Sequence, residues 1–204
     1  MAYEVENFDF DKHIDTLIDI ATSVNQNDIT ILTGANGYGK SFLRKIMGML
    51  HTKHDFPKVA SVSMEMRTNA REDYSALKSM MMDNADESTS NHTCYMIESL
   101  LKTEDRYFVI DEPEIGMGKE MLLGLIEELN EKISLMKAEG KFKGIMFITH
   151  SDFFIDHINY DRFINLEGMN YDQWKNREIK PINPKKLSEW SLAMWRAIEK
   201  RLGK

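Results

Sequence analysis

Apolar residues recur at helical spacing between His13 and Val24, at Ile14, Leu17, Ile18, Ala21 and Val24, and a polar turn follows from Asn25 to Asp28. The pattern predicts a short helix leading into a strand. That strand is Ile29 to Thr33, a β-branched run stopping at Gly34, and one-sided apolar spacing predicts a helix from Phe42 to Leu50 beyond a glycine-rich loop. A second strand, Val59 to Met64, follows a turn at Pro57, and a polar helical stretch from Asn69 to Asp86 reads as peripheral to the core. A helix from about Ser90 to Leu101 feeds the strand Tyr107 to Ile110, and a helix from about Lys119 to Ala138 feeds the strand Gly144 to Thr149. Arg162 to Leu166 adds a candidate strand. Pro181 to Lys186 is a turn-rich connector into a terminal helix, Leu187 to Leu202. Strands alternating with helices predict an α/β fold with a mostly parallel sheet flanked by helices. With no internal repeat and no low-complexity linker, residues 1–204 are expected to form a single domain.

Composition narrows this picture. The chain carries 33 acidic against 26 basic side chains and a formal charge of -7, which argues against a body that coats nucleic acid by bulk electrostatics. One cysteine, Cys94, forms no internal disulfide and no thiolate zinc site, so a reducing, cytoplasmic setting is expected. Met1 to Asp11 lacks the basic start and apolar run of a secretory signal, so the mature chain is expected to begin there. The longest apolar runs, Tyr107 to Ile110 and Ile145 to Ile148, are too short to span a bilayer, and no membrane contact is expected.

The chemistry sits at the ends of the predicted strands. Gly34-Ala35-Asn36-Gly37-Tyr38-Gly39-Lys40-Ser41 matches the phosphate-loop pattern of a glycine, four residues, then Gly-Lys-Ser, between a strand and a helix. Glycines let successive N–H groups turn inward around an anion, and the first turn of the next helix, beginning near Phe42, adds unpaired donors and a positive dipole end. Lys40 is expected to reach the β- and γ-phosphates, and the Ser41 hydroxyl to hold Mg²⁺. Asn36, Gly37, Tyr38, Gly39, Lys40, Ser41 and Phe42 are thus the candidate nucleotide-binding residues, with ATP and Mg²⁺ as ligands.

The strand Tyr107 to Ile110 delivers Asp111 and Glu112 to the edge where ligands sit in parallel α/β sheets. Asp111 is the candidate magnesium ligand and Glu112 the candidate general base. The strand ending at Thr149 delivers His150 to the same edge, within reach of a γ-phosphate or its attacking water. Together with Lys40, Glu112 and His150 form the candidate catalytic set.

These motifs resemble the ATP-binding cassette (ABC) ATPases, especially the compact branch related to ATPases of DNA repair and chromosome maintenance. Gly-Ala-Asn-Gly-Tyr-Gly-Lys-Ser is similar to that family's phosphate loop, Asp111-Glu112-Pro113-Glu114 to its magnesium strand with catalytic glutamate, and Thr149-His150-Ser151 to its switch histidine. The likeness spans roughly residues 14 to 166. It implies a phosphate-loop NTPase fold, an ATP-dependent homodimer and a trans-acting signature segment. Ser88-Thr89-Ser90-Asn91 stands at that segment's position without its glycines, leaving Ser88, Ser90 and Asn91 as possible contacts to the γ-phosphate of a second copy. Glu65 stands near the place of a family glutamine, and Ile115-Gly116-Met117-Gly118 lacks the aspartate many members use between paired sites.

About 70 residues separate the phosphate loop from Asp111, which implies a much reduced helical subdomain, near residues 69–101, and disfavours a transporter subunit. Phe8 and Phe10 are candidates for stacking on adenine or for core packing. Trp190 and Trp195 on the helix 187–202, with Arg196, Lys200 and Arg201 on it and Lys185 and Lys186 just before it, suit nucleic acid or an acidic partner, or dock that helix on the body. The leading expectation is a soluble ATPase acting as an ATP-driven dimerisation switch in DNA metabolism, bacteriophage biology or defence. The alternative is a nucleotide-sensing module that recruits a protein partner with little turnover, and a phosphoryl transferase ranks last.

Overall fold

The computed structural model describes residues 8–53, 56–63, 89–179, 181 and 183–202. Five strands, β1 (Ile29–Thr33), β2 (Lys58–Val62), β3 (Arg106–Asp111), β4 (Ile145–Ile148) and β5 (Arg162–Asn165), form one sheet in the order β2-β3-β4-β1-β5. Every pairing is parallel, with β4 set between β1 and β3: Ile145 is in register with Ile29 on one side and Phe108 on the other. Seven helices among the described residues surround it: α1 (Phe10–Thr22), α2 (Lys40–Lys53), α3 (Thr89–Leu101), α4 (Lys119–Ala138), α5 (Asp152–His157), α6 (Tyr171–Lys175) and α7 (Pro184–Leu202). This is an α/β fold, a parallel sheet flanked by helices, consistent with a phosphate-loop NTPase architecture.

The central strands are apolar on both faces because both faces are covered. Side chains alternate across a strand, so Leu32, Tyr107, Val109, Met146 and Ile148 enter one core with Ile14 and Leu17 of α1, Leu43 and Met47 of α2 and Trp190 of α7. Ile31, Phe108, Ile110, Ile145 and Phe147 enter the other, with Ile97 of α3, Leu125 and Leu129 of α4 and Phe154 of α5. Asp9 caps α1 by accepting from the Lys12 N–H at 2.9 Å.

The differences from the expected elements lie at element ends and in two short helices. The second strand runs Lys58–Val62, and Met64, the last residue expected of it, lies outside the described residues. α7 begins at Pro184, inside the expected connector, because proline's fixed φ and missing N–H suit a helix's first position. α5 and α6, of 6 and 5 residues, were not expected; their caps hold them, with Ser151 accepting from the Phe154 N–H and Asn170 forming a capping box with Gln173. Glu65, the stretch from Asn69 to Asp86, and Ser88 lie outside the described residues. Ser90 and Asn91 fall in the first turn of α3. Among the described residues, no helix is long and apolar enough to cross a membrane.

Candidate active site

β1 and α2 hold the phosphate loop between them. Gly37 and Gly39 have φ of +83° and +90°, which favour glycine, and a Cβ on Gly39 would stand 2.7 Å from Leu17 Cδ1 of α1, so a side chain there would also have to displace Leu17. α1 also fixes the loop by a polar contact, His13 Nε2 lying 2.9 Å from the Tyr38 carbonyl oxygen. From the far side of β5, Glu167 accepts from the Ala35 N–H at 3.2 Å. Lys40 folds back on the loop, donating to the carbonyls of Gly34 at 2.8 Å and Ala35 at 3.1 Å. Burial pushes its pKa down to about 8, against the opposing pull of Asp111, Glu112 and Glu167.

Asp111 closes β3, and Glu112 follows with φ +53°, a left-handed conformation uncommon outside glycine. Extended backbone would send these neighbours to opposite faces; with the turn at Glu112 both carboxylates line one pocket. The Glu112 N–H donates to the Ile148 carbonyl at 2.7 Å, tying the turn to the end of β4. A non-glycine residue held at positive φ stores backbone strain, a feature that clusters at functional sites.

Glu114 ties the next connection. Its Oε1 accepts from the Thr149 hydroxyl at 2.7 Å and from the His150 N–H at 3.0 Å, and burial holds its carboxyl above the usual range. His150 Nε2 is buried without a hydrogen-bond partner among the described residues. Burial, then the charges of Lys40 and Arg177, bring the imidazole pKa down to about 4, so the ring is neutral near pH 7.

The pocket above the loop measures about 410 Å³ and brings together Asn36, Gly37, Gly39, Lys40, Ser41, Phe42, Asp111 and Glu112. Two expected residues sit off its lining. Tyr38 turns its ring away, buried and stacked on Trp190, with centroids 5.7 Å apart, and His150 is not among the described residues that line the pocket. Phe8 and Phe10 pack against Trp190, at 4.3 and 5.2 Å between centroids, taking the core role of the two expected for them. Trp190 docks α7, as the second reading of that helix anticipated, whereas Trp195 lines the pocket.

Sequence reasoning missed Arg44, Ser63 and the α7 residues Ser191, Met194, Trp195 and Ile198 on the pocket wall, as well as Glu114 and Glu167 around it. The signal for Arg44 was available: it lies four positions after Lys40 on the same helix, hence on the same face. Ser63 follows β2 beside the end of β3, and its buried hydroxyl has no hydrogen-bond partner among the described residues.

Among the described residues no group of three or more histidine, cysteine, aspartate or glutamate side chains could hold a metal ion. The donors present fit magnesium differently. The Ser41 and Ser63 hydroxyls and the Asp111 carboxylate are hard oxygen ligands in one pocket, and Mg²⁺ typically takes one or two carboxylates plus substrate phosphates and water.

Comparison with solved structures gives likenesses at low identity. The chain is similar to a nucleotide-free ATP-binding cassette from an ABC transporter, at 14% identity and a TM-score of 0.45 over 66% of this chain and 76% of that one. It is similar to a DNA replication initiation factor, at 16% identity and a TM-score of 0.42 over 98% and 67% of the two chains. A third likeness is to C. elegans PCH-2, at 12% identity and a TM-score of 0.35 over 94% and 67%. No protein-family model and no curated protein matches the sequence.

Proposed function

We propose that the chain binds and hydrolyses ATP as an ABC-type ATPase that dimerises around nucleotide, with residues 1–204 acting as one domain. The observation that carries this reading is the convergence of Lys40, Ser41, Asp111 and Glu112 on one pocket of about 410 Å³. A cation, a hydroxyl and two carboxylates with separate duties are what phosphoryl transfer to water requires. Lys40 exchanges the carbonyls of Gly34 and Ala35 for β- and γ-phosphate oxygens. Ser41 and Asp111 would hold magnesium, with the Ser63 hydroxyl in the same pocket as a further oxygen donor. Magnesium, when bound, offsets the charge on the β- and γ-phosphates.

Glu112 then accepts a proton from the attacking water, and neutral His150 offers its Nε2 to that water or to the γ-phosphate. Glu114 keeps His150 in place through its backbone N–H. Ser88, Ser90 and Asn91 of a second copy supply polar groups over the γ-phosphate, so closure of the dimer completes the site and hydrolysis reopens it. Such a switch suits a cytoplasmic protein working with a protein partner or with DNA.

The test is the rate of ATP hydrolysis per subunit against protein concentration, with magnesium present. Turnover that rises with concentration is expected of a site completed by a second copy. Tight ATP binding with negligible turnover at every concentration would instead make the chain a nucleotide sensor. That second reading draws on Thr89 and Ser90, which stand where the resemblance has glycines.

A further inference from the structure

One wall of the pocket is left unused by phosphate chemistry. α7 contributes Ser191, Met194, Trp195 and Ile198, spaced so that all four lie on one helix face. The helix abuts the loop itself: a Cβ on Gly37 would stand 3.0 Å from Trp190 Cδ1 and 3.1 Å from Ser191 Oγ. Phe42 and Arg44, on the first turns of α2, lie in the same lining, so a ligand seated on the loop reaches α7 without leaving the pocket. The volume, about 410 Å³, is in the range of sites that enclose a whole small ligand.

The two tryptophans of α7 are treated differently. Trp190 is 2% exposed and packed against Tyr38, whereas Trp195 is 42% exposed although its neighbour Met194 is buried. The first indole is a core residue; the second keeps much of its surface open beside the pocket it lines. A half-exposed indole beside a phosphate cradle, flanked by Met194 and Ile198, is a flat apolar surface suited to an aromatic ring. Ser191 adds a hydroxyl to this wall.

We propose that α7 is the base-binding wall of the nucleotide site, with Trp195 stacking on the base of the nucleoside triphosphate whose phosphates lie on Gly34 to Ser41. The inference rests on the nucleotide-site reading above. Stacking on an indole accepts any base, since every base has a π-face. The wall therefore adds affinity for a nucleoside without adding affinity for a bare phosphate chain.

Binding of ATP and of inorganic tripolyphosphate, each with magnesium, to the full chain separates these contributions. Trp195→Ala is expected to weaken ATP about tenfold or more, leave tripolyphosphate unchanged, and abolish the difference between the two ligands. Trp195→Phe keeps a stacking surface and is expected to retain most of the ATP affinity. Unchanged ATP binding in Trp195→Ala would overturn the proposal. So would equal weakening of both ligands, which marks a structural role. Lys40→Ala tests the underlying reading separately: it is expected to abolish tripolyphosphate binding. If the wild-type chain binds neither ligand, or Lys40→Ala still binds tripolyphosphate, the phosphate-loop reading itself falls, and the base wall with it.

Discussion

His150 shows how burial turns a titratable residue into a fixed hydrogen-bonding group. Its folded pKa is about 4 against an ordinary 6.5. Between these values the unfolded chain takes up a proton that the folded chain declines, so this residue's contribution favours folding above about pH 6.5 and is lost as pH falls toward about 4. His150→Asn removes that component. Urea unfolding near neutral pH and again near pH 5 is expected to show a larger loss of stability in wild type than in His150→Asn; equal losses would mean the ring is solvated in the folded state. The sequence made His150 legible as a strand-end residue. It could not reveal Glu114 as its anchor, because that bond joins residues 36 apart whose meeting depends on β3 and β4 being neighbours. Glu112 was legible by identity but not by conformation, since no pattern of residue types announced its positive φ.

At the scale of elements, strands were read closely because the central ones are buried on both faces and carry unbroken apolar runs, as Ile29–Thr33 and Ile145–Ile148 do. α5 and α6 were missed because 6 and 5 residues hold less than two helical turns, too few to display a period. The pocket face of α7 escaped notice for another reason: its amphipathic pattern told which residues are buried, not which neighbour they meet.

The entry to β4 shows how tightly one element constrains another. Gly144 has φ +107°, and a Cβ there would lie 2.5 Å from Tyr107 Cε2 of β3. Gly140 also has a positive φ, +70°, but faces open space. Gly144→Ala is expected to cost about 1–3 kcal/mol more than Gly140→Ala, since both share the conformational penalty and only one adds a clash with a buried ring. Thermal unfolding of the two variants checks this, and equal melting temperatures would contradict it.

At the scale of the whole molecule, the sheet order gathers the chemistry. With β4 between β1 and β3, the phosphate loop after β1, His150 after β4 and the Asp111-Glu112 pair after β3 emerge at one edge from segments far apart in sequence. α1 and α7 then brace the loop from outside, through His13 and Leu17 on one helix and Trp190 on the other. The most direct test of this account is MgATP hydrolysis by wild type and Glu112→Gln measured side by side, with ATP binding followed in both. The account predicts that Glu112→Gln still binds ATP while its turnover falls by about 10²-fold or more, because the amide cannot take the water's proton. Undiminished turnover in Glu112→Gln would contradict it.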